Sequence, residues 1–349
     1  MPVTWVRTPE QAAAWDRLMA THPAGSAYLL SWYLAQQRLP RVEVEIAYQE
    51  REGQAVAGAV LYTYRLPAGG AVCQVPSGPV ALEGAEGLLE ELIQAIVARA
   101  REKRAMLLQF EAFEAEMRDV LRESLKGLEL RDEALWKLYH PTTWRELRVD
   151  LRGKDPESLL MSFRQTTRQC VRKAQKEGAD VSTVTDDEDL AAVHALWVRS
   201  AEERGYVPRS LESFRALVRA SAERGMGHVL GCRERGRLAA FVYAIFYGSG
   251  SVYIAGAFDP QMSRGNAHHL VHYRAMCLAM ERGIPYYSLA GPGTGGLRTF
   301  KAGFRPVLVD NWRFVTVVLK PLRAWAAKAI IGQGKWGQRA KRWASRRTG

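Results

Sequence analysis

The sequence predicts an α+β protein of two domains related by structural duplication. Three observations carry this. At 349 residues with 47% hydrophobic content, the chain can fill two cores of ordinary size rather than one. A pattern of strands, helix and strand runs along it twice. The longest central apolar run, Leu238 to Tyr247, is far shorter than the ~20 residues of a membrane-spanning helix and suits a buried strand.

Strands are predicted at 42–48 (VEVEIAY) and 55–64 (AVAGAVLYTY), and the polar QEREGQ between them makes a hairpin. After VPSGPV comes a helix over 85–103, with Leu88, Leu89, Leu92, Ile93 and Ile96 on one stripe, then the strand MLLQFEAF. Past the polar stretch 153–155 the grammar restarts. A helix spans 157–177 and breaks at Gly178, the strand ADVSTV follows, and helices cover 190–203 and 210–223. Strands at 228–234, 237–247 and 251–257, a helix over 266–282 and the strand PYYSLA complete the second half. RFVTVVLKPL forms one more strand, and LRAWAAKAII has the spacing of an amphipathic helix. The expected domains are 1–150, completed by 315–349, and 151–314. Their element order matches acyltransferase folds of the GNAT (acyl-CoA N-acyltransferase) type, an analogy of pattern.

The N-terminus lacks a cationic start followed by an apolar run, so a cytoplasmic protein is expected. Four scattered cysteines, Cys73, Cys170, Cys232 and Cys277, form no C-x-x-C pair, which argues against a zinc ribbon or a disulfide framework. His268 and His272 stand at i, i+4, yet without an H-E-x-x-H signature they read as ordinary helix residues rather than metal ligands. The net charge of +12 is uneven. Residues 320–349 hold nine cations and no acid, leaving 40 basic against 37 acidic residues elsewhere. A polyanion or an anionic membrane surface is the partner such a tail suits, although a solvated tail fits as well.

Taken together and in order, SWYLAQQ, VPSGPV, MLLQFEAF, HPTTWRELRVDL, FRQTTRQCVRKAQKEGADV, ERGYVPRSLESF, SVYIAGAF and the closing GPGTGGLRTFKAGFRP resemble the Fem family of non-ribosomal peptidyltransferases. The resemblance runs over most of the chain. It implies two GNAT-like domains in the compact form without a coiled-coil arm. It also implies transfer of an amino acid from aminoacyl-tRNA to the stem-peptide amine of a UDP-linked or lipid-linked peptidoglycan precursor, in cell-wall and cell-shape biogenesis. No cofactor is expected, and the compact form suggests a monomer.

Aminolysis of an activated ester asks the enzyme for proximity, a neutral amine and stabilisation of developing negative charge. Lys301 follows a glycine-rich approach where the backbone can come close to a ligand, and it can act as a point charge beside Phe300, which can stack on a base. The resemblance gives Phe300 and Lys301 the tRNA end; a glycine-rich surface loop is the plain alternative. Likewise the resemblance gives Arg209 the precursor's diphosphate, with the aromatic expected one turn later replaced by Ser213 or shifted to Phe214, and places Tyr253 in the same cleft. Where a lysine is expected after Trp32 stands Gln36, so the cation comes from Arg38 if anywhere. Ser288 replaces an acid, which leaves no general base. Arg164, Arg168 and Arg172 recur at helical spacing and, with Lys335 and Arg339 of the tail, are candidate tRNA contacts, while a solvated face explains them too. An acyl-CoA-dependent N-acyltransferase and a non-catalytic protein binding RNA or a membrane surface are the rival readings.

Overall fold

The computed structural model describes residues 1–37, 41–66, 69–113, 115–134, 145–262, 266–310 and 312–321. The chain divides into two compact units, the first running to Trp144 and resuming at Asn311, the second spanning Arg145–Asp310.

The first unit begins with β1 (Thr4–Trp5), α1 (Pro9–Thr21) and α2 (Ser31–Ala35). The hairpin β2 (Val42–Arg51) and β3 (Gln54–Arg65) follows, then β4 (Ala71–Val75) and β5 (Val80–Ala81). Helix α3 (Leu89–Glu102), β6 (Ala105–Phe113), α4 (Ala115–Ser124) and β7 (Leu130–Arg131) close the first pass. Helix α3 starts later than its stripe suggested because a 3-10 turn, Glu86–Leu88, precedes it. Its buried residues Leu89, Leu92, Ile93, Ile96, Val97 and Ala100 lie at i, i+3, i+4, i+7 spacing and pack on one sheet face with Leu61, Leu108 and Phe110.

The second unit opens with β8 (Glu146–Asp150), α5 (Pro156–Ser162), α6 (Gln165–Lys176) and β9 (Asp180–Thr183). Helices α7 (Asp187–Arg204) and α8 (Leu211–Ala222) follow. Asp186 caps the first by accepting from the Asp189 amide, and Gly205 ends it at φ 71°. Then come β10 (Gly227–Glu234), β11 (Arg237–Phe246), β12 (Ser251–Phe258), α9 (Asn266–Glu281), β13 (Tyr286–Ser288), α10 (Gly295–Gly303) and β14 (Val307–Val309). Buried almost all round, α9 carries the centre of this core. The last strand, β15 (Trp312–Val318), returns to the first unit's sheet.

The first sheet runs β1-β2-β3-β4-β6-β15-β7 and the second, read from its far edge, β9-β10-β11-β12-β13-β8-β14. Each has a single parallel pair, β4 with β6 and β12 with β13, and each pair is joined through a helix, α3 or α9. The two orders therefore superpose strand for strand, which is the signature of duplication.

The place next to the crossover strand is filled by β15 in the first sheet and by β8 in the second. Residues 146–150, which the sequence reading assigned to the first domain, thus pair with β13 and β14, and the second stretch of the first unit begins at 311 rather than 315. The single helix expected over 157–177 is likewise two. Phe163 and Arg164 adopt extended conformations between α5 and α6, and the Arg164 amide bonds to Gly303 instead of continuing the helix. Among the described residues no helix is long and apolar enough to cross a membrane. The expected tail helix and basic tail lie outside the described residues.

Candidate active site

The parallel strands β12 and β13 pair only at Ser251 with Tyr287 and Val252 with Ser288, then part. Tyr253 is the first residue of β12 past the pairing, and beyond β13 the chain turns through the glycine-rich 291–296 into α10. Gly293 and Gly295 have φ of 69° and 52°, a left-handed backbone that a side chain would strain, and Gly293 also lies against Leu297.

Lys301 points into this gap. It is 4% exposed, and its ammonium donates to the carbonyl of Gly291 at 2.6 Å and sits 5.9 Å from the Tyr253 ring centroid. Among the described residues no carboxylate pairs with it. Burial pulls its pKa down to about 8. The Tyr253 hydroxyl donates to Gly256 at 3.3 Å, and burial pushes its pKa up, with Tyr206 adding to the shift and Arg204 opposing it. Residues at the end of α7 therefore act electrostatically on the same gap.

Helix α10 is held from both sides. At its end, the Arg164 amide donates to the Gly303 carbonyl at 2.9 Å, and Gly303 lies so close to α6 that an added Cβ would fall 2.2 Å from Thr167 Oγ1. In its middle, Phe300 lies parallel to His268, with centroids 4.4 Å apart and 5° between planes. His272 packs against Phe300 at 5.3 Å and Tyr253 at 4.9 Å.

Second-unit candidates from the sequence fall into two groups. Phe300, Lys301 and Tyr253 come together. Arg209 stands before α8, its guanidinium donating to Ser213 Oγ at 3.3 Å and its carbonyl accepting from His194 at 2.7 Å. Phe214 is not at the site; it is buried against Trp197 and Tyr243.

In the arginine row, Arg168 donates to the carbonyls of Phe163 and Met161 at 2.6 and 3.2 Å, closing the end of α5. Arg172 reaches Glu157 at 3.0 Å, and Arg164 is exposed. Gln36 caps the C-terminus of α2 in the first unit. Arg38, Lys335 and Arg339 lie outside the described residues. The histidines beside Phe300 were seen in the sequence only as a helical pair, and nothing in their spacing told that α10 packs on them.

These observations define the class by its fold: two GNAT-like domains in tandem. Residues 161–301 match the family described as Acetyltransferase (GNAT) domain, a span that contains Arg164, Arg209, Tyr253 and Lys301. Among solved structures, the chain is similar to FemX, with TM-score 0.78 and 17% identity over 95% of this chain and 100% of that one. It is also similar to the C-terminal domain of a putative lysylphosphatidylglycerol synthetase from Agrobacterium fabrum, with TM-score 0.58 and 15% identity over 92% and 96% of the two chains. A tandem GNAT protein from the clavulanic acid biosynthesis pathway gives TM-score 0.53 and 16% identity over 90% and 98%. At these identities the likeness is one of fold. No curated protein sequence matches the chain.

Proposed function

We propose that this protein transfers an amino acid from aminoacyl-tRNA to the stem-peptide amine of a peptidoglycan precursor, using the Lys301 site of the second unit. The observation that carries this reading is Lys301 itself. A buried ammonium with one backbone acceptor and no carboxylate partner among the described residues keeps its charge available for an anion that arrives or develops. Placement of that lysine after a glycine-rich turn and a phenylalanine fits the Fem-type phrase, and the FemX-like fold supports the same reading.

In the reaction, the amine nitrogen attacks the ester carbonyl, the C–N bond forms, and the C–O bond to the tRNA ribose breaks. Lys301 stabilises the oxyanion of the tetrahedral intermediate, and Phe300 meets the terminal base. The proton lost by the amine ends on the departing ribose oxygen, so no net proton is consumed. Arg209 takes the precursor's diphosphate, and Gln36 and Arg38 of the first unit belong to the acceptor side. Arg164, with Lys335 and Arg339, contacts tRNA phosphates. The protein works as a monomer in the cytoplasm, its tail meeting the anionic membrane where a precursor is lipid-linked.

A second reading rests on the GNAT match over 161–301: transfer of an acyl group from acyl-coenzyme A. One experiment separates the two. Purified protein is given charged radiolabelled tRNAs and nucleotide-linked or lipid-linked muropeptide, with and without ribonuclease. Ribonuclease-sensitive label in the muropeptide supports the proposal; label only from acyl-coenzyme A replaces it with the second reading.

A further inference from the structure

His268 and His272 are two buried titratable groups, packed on the Lys301 helix, that the proposed chemistry leaves unused. They are 3% and 0% exposed, and the Nε2 atom of each is buried without a hydrogen-bond partner among the described residues. His268 is sandwiched between Phe300 and Phe258, with centroids 4.4 and 5.2 Å away. His272 has its Nδ1 3.5 Å from the Tyr287 hydroxyl and its ring 4.9 Å from that of His268.

Two orphaned ring nitrogens side by side are a cost that phenylalanine, of similar shape, would avoid. Packing alone therefore favours hydrocarbon at His268, and at His272 only the Tyr287 hydroxyl speaks for a ring nitrogen. Burial keeps both imidazoles uncharged; His269 and Arg204 add to this at His268, and His268, His269 and Lys301 add to it at His272. The groups facing His272 from the sheet are Tyr253 and Tyr287, and Lys301 faces it from α10. A cationic imidazole here would repel the Lys301 ammonium. A neutral one leaves that ammonium its charge while supplying a dipole in otherwise apolar surroundings.

We infer that His268 and His272 are positioning residues of the Phe300–Lys301 site, two uncharged imidazoles that hold the Phe300 ring and complete the polar surroundings of Lys301. The kinetic part of the test rests on the function proposed above; the rest does not.

The variants are His268→Phe, His272→Phe and His272→Gln, the last placing an amide nitrogen near Nε2. Each is measured by thermal unfolding, by the pH midpoint of Lys301 labelling with an amine reagent read by mass spectrometry, and by transfer kinetics. His268→Phe should unfold at the wild-type temperature or above it, and His272→Phe, which also takes the 3.5 Å partner from the Tyr287 hydroxyl, slightly below it. In His272→Phe the Lys301 midpoint, about 8 in the parent, should drop by at least about half a unit, and His272→Gln should restore it. In the phenylalanine variants kcat should fall at least ~tenfold with KM for the acceptor unchanged.

An unmoved midpoint with full turnover would make the histidines packing residues and overturn the inference. A lowered unfolding temperature of His268→Phe, with turnover lost only in step with the folded fraction, would overturn it as well. If the parent transfers nothing from aminoacyl-tRNA while the midpoint still shifts, the proposed reaction fails and the positioning role stands.

Discussion

Replacing Gly303 by alanine should damage the site although alanine is the better helix former by about 1 kcal/mol. Gly303 is the last residue of α10, and its new Cβ would fall 2.2 Å from Thr167 Oγ1, with Thr167 Cβ at 3.5 Å and Cγ2 at 3.9 Å. Turning the threonine about its Cα–Cβ bond puts either the methyl group or the Cβ hydrogen in that place, and because Thr167 is 2% exposed the displaced oxygen then meets packed surroundings.

Helices α6 and α10 must therefore separate by roughly an ångström to reach ordinary contact, and overpacking of this kind costs about 1–3 kcal/mol. The same separation stretches the 2.9 Å bond from the Arg164 amide to the Gly303 carbonyl, whose loss adds about 1 kcal/mol. Lys301 lies two residues earlier on the displaced helix, and a misplacement of that size costs on the order of a hundredfold in rate.

Transfer assays should show that loss, and chemical denaturation a net destabilisation of about 1–3 kcal/mol once the helix-propensity gain is set against the two costs. Adding Thr167→Ala removes the clashing oxygen, so the double variant should recover more than half of the lost turnover. A Gly303→Ala protein with normal rate and stability would refute the reasoning, as would a double variant no better than the single one.

Lys301→Met should lower turnover by about a hundredfold to a thousandfold, the range for loss of an oxyanion partner, while equilibrium binding of the precursor stays unchanged. The pH dependence follows from the direction of its shift. Turnover that needs the ammonium should hold near neutrality and fall as pH rises through about 8. Stability moves the other way: a folded pKa of about 8 against an ordinary 10.5 means that the unfolded chain binds the extra proton between those values, so stability rises with pH across that window, by up to about 3 kcal/mol. Denaturation at pH 8 and pH 10.5 checks this, and Lys301→Met should abolish the Lys301 contribution. Arg209→Ala should weaken precursor binding at least ~tenfold, the worth of a charge-assisted contact, with an unchanged melting temperature. Titration calorimetry with a nucleotide-linked muropeptide would expose an intact affinity and reject that contact.

Local pattern showed most where local physics decides. Hairpin β2–β3 announces itself through two strand-like runs and a polar turn, and α9, expected over 266–282, spans Asn266–Glu281 because a compact apolar helix ends at its own glycine. Failures occurred where a partner far along the chain decides. The break at Phe163 and Arg164 exists because Gly303, well over a hundred residues later, accepts the Arg164 amide. The strand 146–150 stands where a first domain's last strand would stand, and only pairing with β13 and β14 shows its owner. At the candidate site, motif singled out Lys301 and Tyr253, which the fold brings within 5.9 Å, whereas the burial that lowers the lysine's pKa was not legible. Arg168 reads as a cation for tRNA, yet its guanidinium closes the end of α5, a use that spacing cannot distinguish from a binding role.

The exchange of β8 and β15 sets an order of assembly at the ribosome. When β7 has been made, the first sheet still lacks the strand between β6 and β7, and β6 must wait with one edge open until residues 312–318 emerge. The second sheet needs nothing outside its own contiguous stretch and is the first able to close. The unit whose strands are made earlier is thus the unit that finishes later. A nascent chain arrested after Asp310 and before β15 has the whole second unit but leaves one edge of the apolar strand β6 open, which is the state a chaperone or a protease would meet.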